Sequence, residues 1–235
     1  MSGDAALLEL FGAIASSDHV EVARRITASR DLAAGAIRVG ASRQAAEQYF
    51  LPTIHHHVYA GDTALHIAAA AYQPELAESL VAYGAGARAR NRRGAEPLHY
   101  AADGSPDSEN WDPVAQRAVI EYLIGAGADP NARDNSGVAP LHRAVRTRCS
   151  AAVHALIENG ADPLLKNRRG STPLHLAVQD TGRSNVGSDT ARDEQRRVIG
   201  LLLQHGATSM DVDANGKTVA AAAASEWIRD LLDAT

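Results

Sequence analysis

Gly170-Ser171-Thr172-Pro173-Leu174-His175 is the stretch that organises this chain, because its pattern of glycine, a small or polar residue, Pro or Ala and then Leu-His returns three more times. The other copies are Gly61-Asp62-Thr63-Ala64-Leu65-His66, Gly94-Ala95-Glu96-Pro97-Leu98-His99 and Gly137-Val138-Ala139-Pro140-Leu141-His142. Their glycines are 33, 43 and 33 residues apart, and a partial fifth copy, Gly216-Lys217-Thr218-Val219, follows after 46. One 33-residue unit with insertions of 10 and 13 residues accounts for every interval. A second signature keeps the same phase: an apolar run closing on glycine at Leu80 to Gly84, Leu123 to Gly127, Leu156 to Gly160 and Leu201 to Gly206.

The residue types explain the pattern locally. Thr63 or Thr172 can cap a helix, and Pro97, Pro140 and Pro173 suit its first turn, where no amide hydrogen is needed. The glycine closing the second apolar run supplies a left-handed stop. Asn91, Asp134, Asn167 and Asp213 each stand three residues before a motif glycine, where a short side-chain acceptor closes a turn.

Composition agrees with closely packed helices. In 235 residues of 24.7 kDa, 45% are hydrophobic but only 4% aromatic, so small residues in close contact must build the core. A net charge of −5 argues against a surface devoted to nucleic acid, which needs a basic excess. The single cysteine, Cys149, rules out an internal disulfide and suits a reducing compartment. The start, Met1-Ser2-Gly3-Asp4, has neither the basic residues nor the apolar run of a secretory signal, and no run approaches a membrane span. The expected location is the cytoplasm.

The repeated run resembles the hallmark Thr-Pro-Leu-His-x-Ala of the ankyrin repeat family, whose unit is a β-turn finger followed by two antiparallel helices. The resemblance implies an all-α ankyrin-repeat solenoid of about six units, with degenerate units sealing both ends. Residues 1–37 are expected to form a degenerate first repeat of two short amphipathic helices about Ser16-Ser17-Asp18. Residues 38–58 form an insert, and 59–213 hold four repeats interrupted near 103–112 and 180–192. The C-terminal cap is 214–235, where Ala220 and Ala221 replace Leu-His and Ser225 caps a last helix with Trp227, Ile228, Leu231 and Leu232 as its apolar residues. The resemblance also assigns His66, His99, His142 and His175 to hydrogen bonds within and between repeats rather than to metal binding or catalysis.

Function in such a protein sits where the repeat rule is broken. Ser42 to Phe50 reads as an extra capped helix ended by Leu51-Pro52, followed by His55-His56-His57-Val58-Tyr59 in the place of a finger. Alternation in an extended chain puts His55, His57 and Tyr59 on one face. The first repeat insert is acidic, with Asp103, Asp107, Glu109 and Asp112, and ends on Trp111, a side-chain type enriched at binding hot spots. The second, Thr181 to Ser188, is glycine- and serine-rich and lacks phosphate-loop spacing. Basic residues gather on the fingers: Arg88, Arg90, Arg92, Arg93, Arg133, Lys166, Arg168 and Arg169. At the variable positions that face the groove in this family stand Ile67, Tyr100, Arg143 and Leu176, with Ala70, Asp103, Arg146 and Gln179 one turn on.

A groove with a basic centre and apolar lining prefers a partner that is acidic and carries apolar anchors. The resemblance implies a protein-binding module, an adaptor or inhibitor holding another protein or an acidic peptide, with no cofactor and no metal. The alternative is a small-molecule-binding protein, with a small anion among its ligands, or an enzyme, with a site in the N-terminal half around the His55–Tyr59 finger that draws on Glu96, Tyr100 and Arg143 as well. Against catalysis stands the lack of any nucleophile motif, H-E-x-x-H or phosphate cradle.

Overall fold

In a computed structural model the described residues are 3–104, 106, 111–179, 189–223 and 225–234. Asp107 and Glu109 of the first repeat insert, Asp180 through Ser188 of the second, and Ala224 lie outside them. The fold is all-α, with thirteen helices and one two-stranded sheet among the described residues. It divides into two compact units, residues 1–101 with 114–129, and 102–113 with 130–235.

The first unit opens with α1 (Gly3–Ala15), α2 (His19–Ala28) and the single-turn α3 (Asp31–Ala34). Leu7, Leu10, Phe11 and Ile14 of α1 and Val22 and Ile26 of α2 are buried, so the two amphipathic helices expected about Ser16-Ser17-Asp18 are present. The strands β1 (Phe50–Leu51) and β2 (His56–His57) follow, then α4 (Ala64–Ala70), α5 (Pro74–Ala82), α6 (Pro97–Ala102) and α7 (Pro113–Gly125). Helix α1 packs on α2 and α4, and α4 on α5.

The second unit holds α8 (Pro140–Arg146), α9 (Ser150–Glu158), α10 (Pro173–Ala177), α11 (Asp189–Gln204), α12 (Val219–Ala222) and α13 (Glu226–Asp233). Here α8 packs on α9 and α10, and α11 on α9 and α10. Leu141, Val153, Leu156, Leu174, Ile199 and Leu202 supply the buried apolar surface between them. Ser225 stands at the N-cap of α13, and Ile228 and Leu232 are its buried residues.

The motif histidines are interior, and His66, His142 and His175 do two jobs each. His66 Nδ1 accepts the Thr63 N–H at 3.2 Å, and Nε2 reaches the Ala95 carbonyl in the next finger at 3.1 Å. His142 repeats this with the Ala139 N–H and the Ser171 carbonyl, and His175 with the Thr172 N–H and the Lys217 carbonyl. His99 Nδ1 likewise accepts the Glu96 N–H. An Nδ1 that accepts an amide hydrogen fixes the proton on Nε2, so the ring must be neutral. Burial accordingly pushes the His142 imidazole below its ordinary value, although its bond to the Ser171 carbonyl works the other way.

The helix-to-helix turn shows how the chain tolerates its insertions. In the uninterrupted repeats a residue in the left-handed conformation, Tyr72 (φ 52°) or Arg148 (φ 58°), reverses the chain. The next amide, of Gln73 or Cys149, then donates to the carbonyl of Ala68 or Ala144 at 3.0 Å. Ser17 (φ 58°) and the Asp18 amide, bonded to Ala13, form the same turn between α1 and α2. Where an insertion separates the helices the backbone amide is unavailable, and a glutamine side chain at the equivalent position replaces it. Gln116 Nε2 donates to Ala101 at 2.9 Å, and Gln195 Nε2 to Ala177 at 2.7 Å. Both glutamines are buried, and each stands 11 residues before the closing glycine, as Gln73 and Cys149 do.

The 38–58 segment departs from expectation. Residues 42–50 form no α-helix: a single 3-10 turn at Glu47–Tyr49 leads straight into β1. Nine residues are too few to hold a helix by propensity, and the backbone is recruited elsewhere. Phe50 pairs with His57 and Leu51 with His56, Val58 donates to the Tyr49 carbonyl, and Ala41 donates to the Val58 carbonyl. Gly40 permits the close approach, since a Cβ there would lie 2.3 Å from the Ala60 nitrogen.

Glu96 occupies the cap position held by Thr63 and Thr172, yet it is only 3% exposed and its Oε2 has no hydrogen-bond partner among the described residues. Burial pushes its carboxyl above the ordinary value, with Asp129 acting in the same sense and Arg88 and Arg90 against it. The native state therefore binds this proton more tightly than the unfolded chain does, and stability is lost as pH rises through the native pKa. Glu96→Thr should raise unfolding stability at neutral pH by about 1 kcal/mol, the scale of one unsatisfied buried group. In denaturant melts across pH, that advantage should shrink as pH falls toward the ordinary glutamate value of 4.5. Gln116→Ala, which strands the Ala101 carbonyl, should cost about 1–3 kcal/mol by the same measurement.

Candidate functional site

The first finger is built differently from the rest. Asn91, Asp134, Asn167 and Asp213 each accept two backbone amides at their hairpin tips, Asn91 from Arg93 and Ala95. The equivalent place in the first finger is taken by Val58, which is buried and has no acceptor. Asp62 supplies it instead, reaching back to the Tyr59 N–H at 2.7 Å. Its carboxyl also accepts from Asn91 Nδ2 at 2.8 Å and from the Tyr100 hydroxyl at 2.9 Å, so Asp62, Asn91 and Tyr100 form one buried polar cluster. The sequence does carry a signal for it: Asp62 follows its motif glycine where the next three repeats have Ala95, Val138 and Ser171.

This arrangement redistributes the residues expected to line a site. Tyr100 and Ile67 are interior, Tyr100 because its hydroxyl is drawn to Asp62 and Ile67 because it packs in the core of α4, so neither lines a groove. His55, His57 and Tyr59 do not share a face. His55 ends a 3-10 turn in the left-handed conformation (φ 47°), which breaks the alternation, and is exposed. His57 lies against Phe50, with ring centroids 4.8 Å apart. The histidine that meets the polar cluster is His56, whose ring is 4.7 Å from that of Tyr100 and edge-on to Tyr59.

Tyr59 is the platform for the neighbouring hairpin. The Arg93 guanidinium lies 3.7 Å from its ring centroid and that of Arg92 5.7 Å, while Arg92 Nη2 donates to the Ala41 carbonyl at 2.8 Å. Arg88, Arg90, Arg92 and Arg93 are all exposed on this one finger. Arg90 is fastened to the Gly94 carbonyl, and Arg88 stands 4.0 Å from Asp129.

In the second unit the expected basic centre is neutralised. Arg143, with its side chain 13% exposed, lies 2.9 Å from Asp103 and 3.4 Å from Asp134, and Arg146 lies 3.6 Å from Asp103. Asp103 is thus a counter-ion rather than a second lining group. Reversing Arg143 would set three acids together in a largely desolvated place, so this arginine is structural as well as polar. On the hairpins of this unit Arg133, Lys166, Arg168, Arg169 and Lys217 are exposed, while Arg146, Arg196, Arg197 and Arg229 are exposed on its helices. Leu176 and Trp111 are half-buried, and Gln179 is exposed.

Among the described residues no three His, Cys, Asp or Glu side chains are placed to hold a metal ion, and no helix is long and apolar enough to cross a membrane.

The ankyrin repeat model matches residues 60–92 and 93–135, and the model for ankyrin repeats in many copies matches 121–177, so the matches together span residues 60–177, about half of the chain. No curated protein matches it. Ankyrin repeats generally serve as protein–protein interaction modules. With its finger-and-two-helix units, bridging histidines and left-handed turns, the chain belongs to the ankyrin repeat family.

Proposed function

We propose that this protein holds another protein through an acidic segment carrying apolar side chains, and that the fingers rather than the inner helices make the principal contact. The observation that carries this reading is charge placement. Four arginines are exposed within the six residues 88–93 of one finger, and Arg133, Lys166, Arg168 and Arg169 are exposed on the hairpins of the second unit. By contrast Arg143, the basic residue at the heart of the expected groove, already has two carboxylates. Clustered exposed cations attract an acidic partner over a Debye length and select against basic ones. Apolar anchors on the partner have exposed counterparts in Leu164, Met210 and Val212 of the second unit.

Turnover at the His55–Tyr59 finger has weaker support. It would need the Tyr100 hydroxyl, which donates to Asp62, and His57, whose ring is packed on Phe50. An adaptor or inhibitor acting in the cytoplasm is the setting that fits best.

Selection from a displayed random-peptide library against the whole protein tests the reading. Enriched peptides should combine Asp or Glu with Leu, Ile or aromatic residues, and their binding should weaken as salt rises. Arg90→Glu with Arg93→Glu should reduce capture about tenfold or more and lower the melting temperature only slightly, because both residues are exposed and the changes remove little beyond the Arg90 bond to the Gly94 carbonyl and the Arg93 contact with Tyr59. Enriched peptides without acidic residues, or capture indifferent to the double reversal, would remove the fingers from the proposal.

A further inference from the structure

The geometry points to Arg93 as the specificity anchor of the finger surface: a guanidinium held over the Tyr59 ring that receives one carboxylate of the partner in two parallel hydrogen bonds. This rests on the reading of the fingers as an acid-binding surface and assigns one residue its own task within it.

Three observations converge on Arg93. Its backbone is fixed, since its amide donates to Asn91 Oδ1 at 2.9 Å in a turn closed by Gly94. Its guanidinium is fixed as well, by the Tyr59 ring 3.7 Å below. The platform is fixed in turn, because the Tyr59 amide donates to the buried Asp62, which also ties down Asn91 from the same hairpin. Asp62 therefore sets both the ring and the turn that carries the arginine over it.

Stacking occupies the π face of a guanidinium and leaves its N–H edge for a planar oxyanion. Among the described residues no side-chain hydrogen bond or ion pair engages Arg93, and the residue is exposed. Holding a long side chain in its bound rotamer in advance removes the entropy that binding would otherwise cost. A carboxylate is the fitting ligand because two parallel N–H···O bonds match its plane and spacing. Arg92, stacked less closely and already fastened to the Ala41 carbonyl, adds charge to the same place.

The test uses the whole protein and fluorescein-labelled hexaglutamate at low salt, read by fluorescence anisotropy. Arg93→Lys keeps the charge but loses the fork and the stack, and should weaken binding about fivefold. Tyr59→Leu should weaken it to a similar extent, and the two changes together no further, because each removes the same preorganised group. Tyr59→Phe, which keeps the ring, should bind like the parent. Arg93→Lys binding as tightly as the parent would overturn the anchor; if Arg90→Glu with Arg93→Glu still abolished binding, the finger reading would stand without it. Failure of the parent protein to bind hexaglutamate at low salt would overturn both.

Discussion

His66, His142 and His175 each accept the amide that starts their own helix and donate to a carbonyl in the following finger. No other side chain serves this arrangement as well, because imidazole alone offers an acceptor and a donor on opposite sides of one rigid ring. A single neutral ring therefore fixes the helix start and the register of the next hairpin together. Everything placed on the hairpins, including the exposed arginines, depends on that register.

Much of this was legible from residue spacing. The motif glycines, the helix starts at Pro97, Pro140 and Pro173 and the turn acceptors Asn91, Asp134, Asn167 and Asp213 all appear as read, because each satisfies a local backbone need. What failed to show was decided by long-range pairing. Residues 42–50 look helical by composition, yet Tyr49 and Phe50 find strand partners at Val58 and His57, and a nonlocal ladder outweighs a short helix's propensity. The expectation for His55, His57 and Tyr59 failed for a related reason: one left-handed residue at His55 shifts the alternation by a step and brings His56 inward.

The expected binding lining changed in the same way. Sequence position places Tyr100 and Arg143 on the groove side of their helices, but position says nothing about which counter-groups will claim them. Asp62 takes the tyrosine hydroxyl, and Asp103 and Asp134 take the guanidinium. A side chain satisfied inside its own protein has less to offer a partner, and that is the reason the proposed contact is placed on the hairpin tips.

The glutamine substitution at the helix turn reaches beyond stability. Where Gln116 and Gln195 close the first helix from across the turn, each bond is made by a side chain already anchored on the second helix, so the bond itself does not fix the length of the loop between them. The two repeats that own such a glutamine are the two that carry added residues, so this chain has at each a port that accepts extra sequence while the first helix stays closed. Evolutionary growth of this protein, and grafting of foreign epitopes into it, would both begin there.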